Sequence, residues 1–91
     1  MISILIADDH TLFRQALISV LRADGRFDIV GEAETGQEAV DQNRQLQPDI
    51  VILDVYMPGR GGLETIAEIK RLNSRAKILM VTMHPEDDYA I

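Results

Sequence analysis

The stretch Ile50-Val51-Ile52-Leu53-Asp54 is four aliphatic residues in a row, closed by a carboxylate. A strand with one wet face alternates apolar and polar residues, so an unbroken apolar run reads as a strand buried on both faces, the habit of parallel sheets. Pro48 ahead of it closes a helix, and Pro58, Gly59, Gly61 and Gly62 behind it mark a loop. Downstream, residues 63–72 show a helical period through Leu63, Ile66, Ala67 and Ile69, and residues 77–82 (KILMVT) read as another strand. Pro85 with Glu86, Asp87 and Asp88 has the character of a helix's first turn. Upstream, Thr35-Gly36-Gln37-Glu38 matches a capping box and opens a helix with Ala39, Val40, Asn43 and Leu46 on one face. Residues 27–33 (FDIVGEA) form a weaker strand whose Gly31 and Glu32 suit a sheet edge. Residues 11–23 repeat at three and four through Phe13, Ala16, Leu17, Val20 and Leu21, and Asp24-Gly25 ends that helix. Residues 2–7 (ISILIA) are a first strand, stopped by Asp8-Asp9.

Strands alternating with helices through short connections predict an α/β fold, because right-handed crossovers place helices on both faces of a parallel sheet. The expected arrangement is a flavodoxin-like doubly wound sheet of order 2-1-3-4, with no repeat and no second domain. The 91 residues hold 46% hydrophobic and 26% charged side chains, which excludes disorder. The absence of cysteine excludes disulfides and thiol chemistry. With 15 acidic against 9 basic residues the net charge is −6, which disfavours nucleic acid and anionic lipid as direct partners. The apolar runs are too short to span a membrane, and no secretion signal opens the chain.

The informative feature is where three aspartates fall. Asp8 and Asp9 close the first strand and Asp54 closes the third. In open parallel sheets ligands bind beyond the carboxyl ends of strands where the strand order reverses, which here lies between strands one and three. Carboxylates gathered there repel one another, and a hard divalent cation such as Mg2+ is the natural counter-charge. A carboxylate beside such an ion can itself be a nucleophile toward phosphorus. The plainer reading makes Asp9 only a helix N-cap. Thr82 adds a hydroxyl to the same rim, although a strand-end threonine often satisfies only its own backbone. His10 and His84 lack a second histidine at zinc-ligand spacing and stand outside this chemistry. Tyr56 reads as a half-exposed packing residue, and Met57, Met80 and Met83 as fillers of core gaps.

These residues resemble the receiver domain of bacterial two-component response regulators. The segments ILIADDH, VGEAETGQEAV, DIVILDVYMPGRGGLE and ILMVTMHPEDDYA carry the likeness over almost the whole chain. DDH, VGEA and VTMH are similar to the subfamily with a LuxR-type helix-turn-helix output domain. The resemblance implies that Asp54 accepts a phosphoryl group from the phosphohistidine of a sensor histidine kinase. It implies Mg2+ held directly by Asp9 and by Asp54, through water by Asp8, and by the Tyr56 backbone carbonyl. It further implies that the Thr82 hydroxyl senses the phosphoryl group, that Met57-Pro58 and Gly61-Gly62 shape the pocket, and that Tyr56 and His84 tune phosphate lifetime. The setting it implies is cytoplasmic, with transcription controlled by a DNA-binding domain of the parent protein.

The likeness departs at the end. A receiver of this family continues through a fifth strand and a fifth helix, the strand bringing a lysine to the phosphoryl group. Residues 1–91 are therefore expected to form a receiver domain incomplete at its C-terminus, with Lys77 and Lys70 misplaced to serve instead. Two consequences are expected: strand 77–82 becomes an adhesive edge prone to self-association, and phosphorylation is impaired. Two rival readings are a phosphatase of the haloacid-dehalogenase type and a purely structural interaction module. The first wants an acid two residues after the nucleophile, where Tyr56 stands. Flavin binding lacks a phosphate-cradling turn after Ala7.

Overall fold

The computed structural model describes residues 1–57 and 61–81. The elements in order are β1 (Ile2–Ala7), α1 (Thr11–Asp24), β2 (Phe27–Ala33), α2 (Gly36–Leu46), β3 (Ile50–Asp54), α3 (Gly62–Leu72) and β4 (Lys77–Val81). The four strands form one parallel sheet in the order β2-β1-β3-β4, the flavodoxin-like winding expected from the sequence.

The winding follows from handedness. From β1 the chain steps outward to β2, then returns across β1 to β3 and continues to β4. With right-handed crossovers, the first step puts α1 on one face and the later two put α2 and α3 on the other. The core divides accordingly. Leu5, Ala7, Val51 and Leu53 join Ala39 and Val40 of α2 and Ile69 of α3 in one cluster, whereas Ile4, Ile6 and Ile52 meet Ile18 of α1 in the second. Successive residues of β1 and β3 thus supply opposite faces, which is why neither strand alternates in polarity.

The ends of the helices follow local chemistry. Thr35 Oγ1 accepts from the Glu38 N–H at 3.1 Å, and Glu38 Oε1 accepts from the Glu34 N–H at 2.8 Å, one residue before the usual capping-box partner. Gly25 ends α1 at φ 85°, a left-handed conformation that costs glycine least. Gln47, rather than Pro48 itself, turns the chain at the end of α2, at φ 48°. The edge strand β2 carries a bulge against β1, where Ile4 faces Ile29 but Leu5 faces Gly31.

Two helix faces differ from expectation. In α1 the inward residues are Arg14, Leu17, Ile18 and Leu21, while Val20 is exposed. The inward stripe is rotated because a charged residue, Arg14, occupies one of its positions. In α3, Thr65 and Ile69 are buried and Leu63 is exposed; the buried Thr65 hydroxyl is satisfied by donating to the Gly61 carbonyl at 2.9 Å. Met80 is 41% exposed instead of filling the core, while Met57 packs against the α2–α3 cluster. The expectations for Pro58, Thr82, Met83, His84 and the helix opening at Pro85 lie outside the described residues.

Candidate functional site

The sheet delivers Asp8 and Asp54 side by side. Ala7 pairs with Leu53, so the next residue on each of these neighbouring strands is an aspartate. Asp8 continues the ladder on its other side, its N–H donating to the Ala33 carbonyl at 2.9 Å.

Each carboxylate then folds over the turn that follows it. Asp8 Oδ1 accepts from the His10 N–H at 2.6 Å, and Asp54 Oδ1 accepts from the Tyr56 N–H at 3.0 Å. These are two copies of one local device, an aspartate bonded to the backbone two residues on. It fixes one oxygen of each carboxylate and directs the other elsewhere. Asp8 Oδ2 and Asp54 Oδ2 are buried without hydrogen-bond partners, in side chains only 1% exposed. Asp9 is half-buried, and its Oδ1 is likewise without a hydrogen bond. It does not cap α1, whose N-cap residue is His10.

The structure adds a residue that sequence spacing left out. The His10 ring lies among the three acids, with Nδ1 at 3.0 Å from Asp8 Oδ1, 3.1 Å from Asp9 Oδ1 and 3.5 Å from Asp54 Oδ2. One ligand-type atom from each of Asp8, Asp9, His10 and Asp54 falls within 4.8 Å of all the others. A search for paired histidines along the chain could not find this, because the partners are carboxylates brought in by the sheet.

Electrostatics follows the geometry. Burial pushes the Asp54 carboxyl above the usual carboxylate range; the Tyr56 N–H opposes that rise, while Asp8 and Asp9 add to it. The hydrogen bond to Asp8 raises the His10 imidazole, with Asp9 and Asp54 reinforcing it. Buried carboxylate oxygens lacking donors fit a hard cation as their missing partner, so the donor set suits Mg2+.

Sequence reasoning also missed Arg14. Its Nη1 donates to the Asp8 carbonyl and its Nε to Glu32 Oε1 at 2.8 Å, tying α1 to the ends of β1 and β2 beneath the acids. A charged residue three and four positions before Leu17 and Ile18 was the available signal. Tyr56 is exposed, at 37%. Thr82 lies outside the described residues.

Comparison with known proteins points the same way. Response regulator GacA of Pseudomonas viridiflava is 38% identical over 89 residues, covering 98% of this chain and 42% of that protein. Response regulator UvrY of Escherichia coli K12 is 40% identical over 87 residues, covering 96% of this chain and 40% of that protein. The chain thus spans about two-fifths of the length of these curated relatives. The crystal structure of a DNA-binding response regulator of the LuxR family from Staphylococcus aureus superposes with a TM-score of 0.85 at 33% identity, over 99% of this chain and 75% of that one. Residues 4–91 match the response regulator receiver domain, and this chain belongs to that family as a receiver of a two-component response regulator.

Proposed function

We propose that Asp54 is the phosphoacceptor of a Mg2+-dependent switch charged by a sensor histidine kinase. The observation that carries this reading is the meeting of three carboxylates at the ends of β1 and β3, with buried Asp8 and Asp54 oxygens left without hydrogen-bond donors. In the step, an Asp54 oxygen attacks phosphorus and the P–N bond of the donor phosphohistidine breaks. The departing imidazole takes up the proton that keeps it neutral. Mg2+, when bound, supplies positive charge against the carboxylates and the phosphoryl oxygens. Asp9 and Asp54, with Asp8 through water and the Tyr56 backbone carbonyl, would hold that ion, and the Tyr56 N–H keeps Asp54 Oδ1 oriented. Thr82, the next residue in sequence after β4, would carry the hydroxyl that reports the phosphoryl group.

The wider setting belongs to the same proposal. The switch acts in the cytoplasm by protein contact on a DNA-binding output domain of the LuxR kind, while the acidic receiver itself leaves nucleic acid alone. Among the described residues no helix is long and apolar enough to cross a membrane. The β4 edge, with Leu79 and Met80 exposed, is a surface for a second copy.

The test is incubation with acetyl phosphate and MgCl2, read by intact-protein mass and a phosphate-affinity gel. Only a low yield of covalent phosphate is expected in the wild type, in keeping with impaired phosphorylation, and that label is lost with EDTA or in Asp54→Asn. Label that survives Asp54→Asn, or no Mg2+-dependent label and no Mg2+-induced amide shift around Asp54, rejects the switch and leaves the structural-module reading. Steady turnover of a phosphate monoester favours the phosphatase instead.

A further inference from the structure

We infer that Arg14, held by Glu32, is a positioning residue of the switch: it fixes the Asp8–Asp9 peptide and so aims the Asp9 carboxylate into the pocket. The inference rests on the magnesium reading of the acids and adds to it the pair of residues that orders one of them.

Asp9 is the acid whose direction needs an explanation. Asp8 and Asp54 each have one carboxylate oxygen tied to a backbone N–H two residues on. Asp9 has no such tie, since its Oδ1 accepts no hydrogen bond, and it stands beyond the last rung of β1, the Asp8 N–H to the Ala33 carbonyl. Its course is set by the peptide that precedes it. A peptide unit is planar, so a donor that fixes the Asp8 carbonyl oxygen also fixes the line along which the chain enters Asp9. Arg14 Nη1 is that donor.

Arg14 is in turn held from the edge strand. Its side chain is 9% exposed, and its Nε donates to Glu32 Oε1 at 2.8 Å. Gln15 Nε2 donates to the same oxygen, and Gln42 Nε2 to the Glu32 carbonyl, so both helices flanking β2 grip this one residue. The next residue, Ala33, accepts from the Asp8 N–H. The contacts close a ring from the Asp8 carbonyl through Arg14 and Glu32 back to the Asp8 N–H. A planar guanidinium holds two acceptors at a fixed angle, whereas a lysine ammonium on its flexible stem does not. A clamp that served stability alone would move the unfolding midpoint and leave Mg2+ affinity where it was.

The experiment records backbone amide spectra and amide exchange without metal, then through a MgCl2 titration. It compares the wild type with Arg14→Met, Arg14→Lys, Glu32→Gln and, as a control for lost stability, Asp49→Asn at the far end of the sheet. Without metal, the Asp9 and His10 amides are expected to shift and exchange faster in Arg14→Met. Mg2+ affinity is expected to fall about tenfold there, with Arg14→Lys and Glu32→Gln lying between it and the wild type. Asp49→Asn should stay within about twofold of the wild type. Glu32→Gln changes a side chain that is 39% exposed, and it carries the test if Arg14→Met fails to fold. Mg2+ affinity within about twofold of the wild type in the folded Arg14 and Glu32 variants, or weakened as much in Asp49→Asn, overturns the inference. A wild type without any Mg2+ response counts against the magnesium switch. In that case mobilised Asp9 and His10 amides in either variant still support the positioning role, and unmoved ones overturn it.

Discussion

At the scale of single residues, Arg14 shows how a site is held from below. Its side chain is buried, and its guanidinium satisfies both the Asp8 carbonyl and Glu32. Gln15 also donates to Glu32 Oε1, at 3.2 Å. Because Glu32 is 39% exposed, its ion pair with Arg14 is partly screened. Arg14→Met should cost about 1–2 kcal/mol, chiefly from the buried Asp8 carbonyl left without its donor. Urea denaturation measures the loss, and a double-mutant cycle with Glu32→Gln separates the pair from the carbonyl contact. An Arg14→Met protein as stable as the wild type would show that water replaces the guanidinium. The same residue marks the limit of reading the sequence. The aspartates were legible because each interrupts an apolar strand at its end. Arg14 and His10 were not, because their roles depend on partners far along the chain or across the sheet.

Among the elements, strands were easier to read than helix faces. The bounds of β1, β2 and β3 follow runs of hydrophobic residues whose meaning is local. The inward side of α1 depends on Arg14 finding acceptors, so counting apolar residues rotates the stripe. Asp49 makes a testable joint at the opposite end of the sheet. Its Oδ2 accepts from both the Ser3 N–H at 2.9 Å and the Ser3 hydroxyl at 3.0 Å, while its own carbonyl accepts from the Lys77 N–H. One residue thereby joins the starts of β1, β3 and β4. The Ser3 N–H, followed by the Ser3 hydroxyl, holds the Asp49 carboxyl below its usual range. A carboxyl lowered in the folded state stabilises above its unfolded value and loses that contribution as pH falls through the folded one. Asp49→Asn should therefore be less stable than the wild type at neutral pH, with the difference shrinking toward zero in strong acid. Denaturation midpoints across pH check this, and a pH-independent gap would contradict it. Gly31 tests the bulge of β2. A Cβ there would stand 2.3 Å from Gln42 Oε1 and 2.9 Å from Leu46 Cδ1. Gly31→Ala should cost about 1–3 kcal/mol, because Gln42 must give up its hydrogen bond to the Glu32 carbonyl and Leu46 must turn its side chain aside to make room. Unchanged stability would mean that Gln42 swings aside freely.

The whole molecule places its charge and its apolar surface at different margins. The acids gather where β1 and β3 end, at the reversal of strand order, while the hydrophobic margin runs along β4. Among the described residues β4 pairs only with β3, and Leu79 at 55% and Met80 at 41% stand exposed on alternate faces. β1 and β3, by contrast, bury nearly everything they carry. An exposed apolar edge offers free N–H and C=O groups together with side chains that gain by leaving water, which is the recipe for pairing with another chain. The net charge of −6 opposes close approach at low salt, and screening removes that opposition as salt rises. Association through this edge should therefore strengthen with both protein concentration and ionic strength, the reverse of an association held by ion pairs. Light scattering coupled to size-exclusion chromatography should show the weight-average mass rising along both axes. Leu79→Lys should return the protein toward monomer, because a charge on an edge strand penalises the second copy more than the exposed site it leaves. A monodisperse monomer at every concentration and salt would place the adhesive surface elsewhere, or show that Leu79 and Met80 are simply tolerated in water.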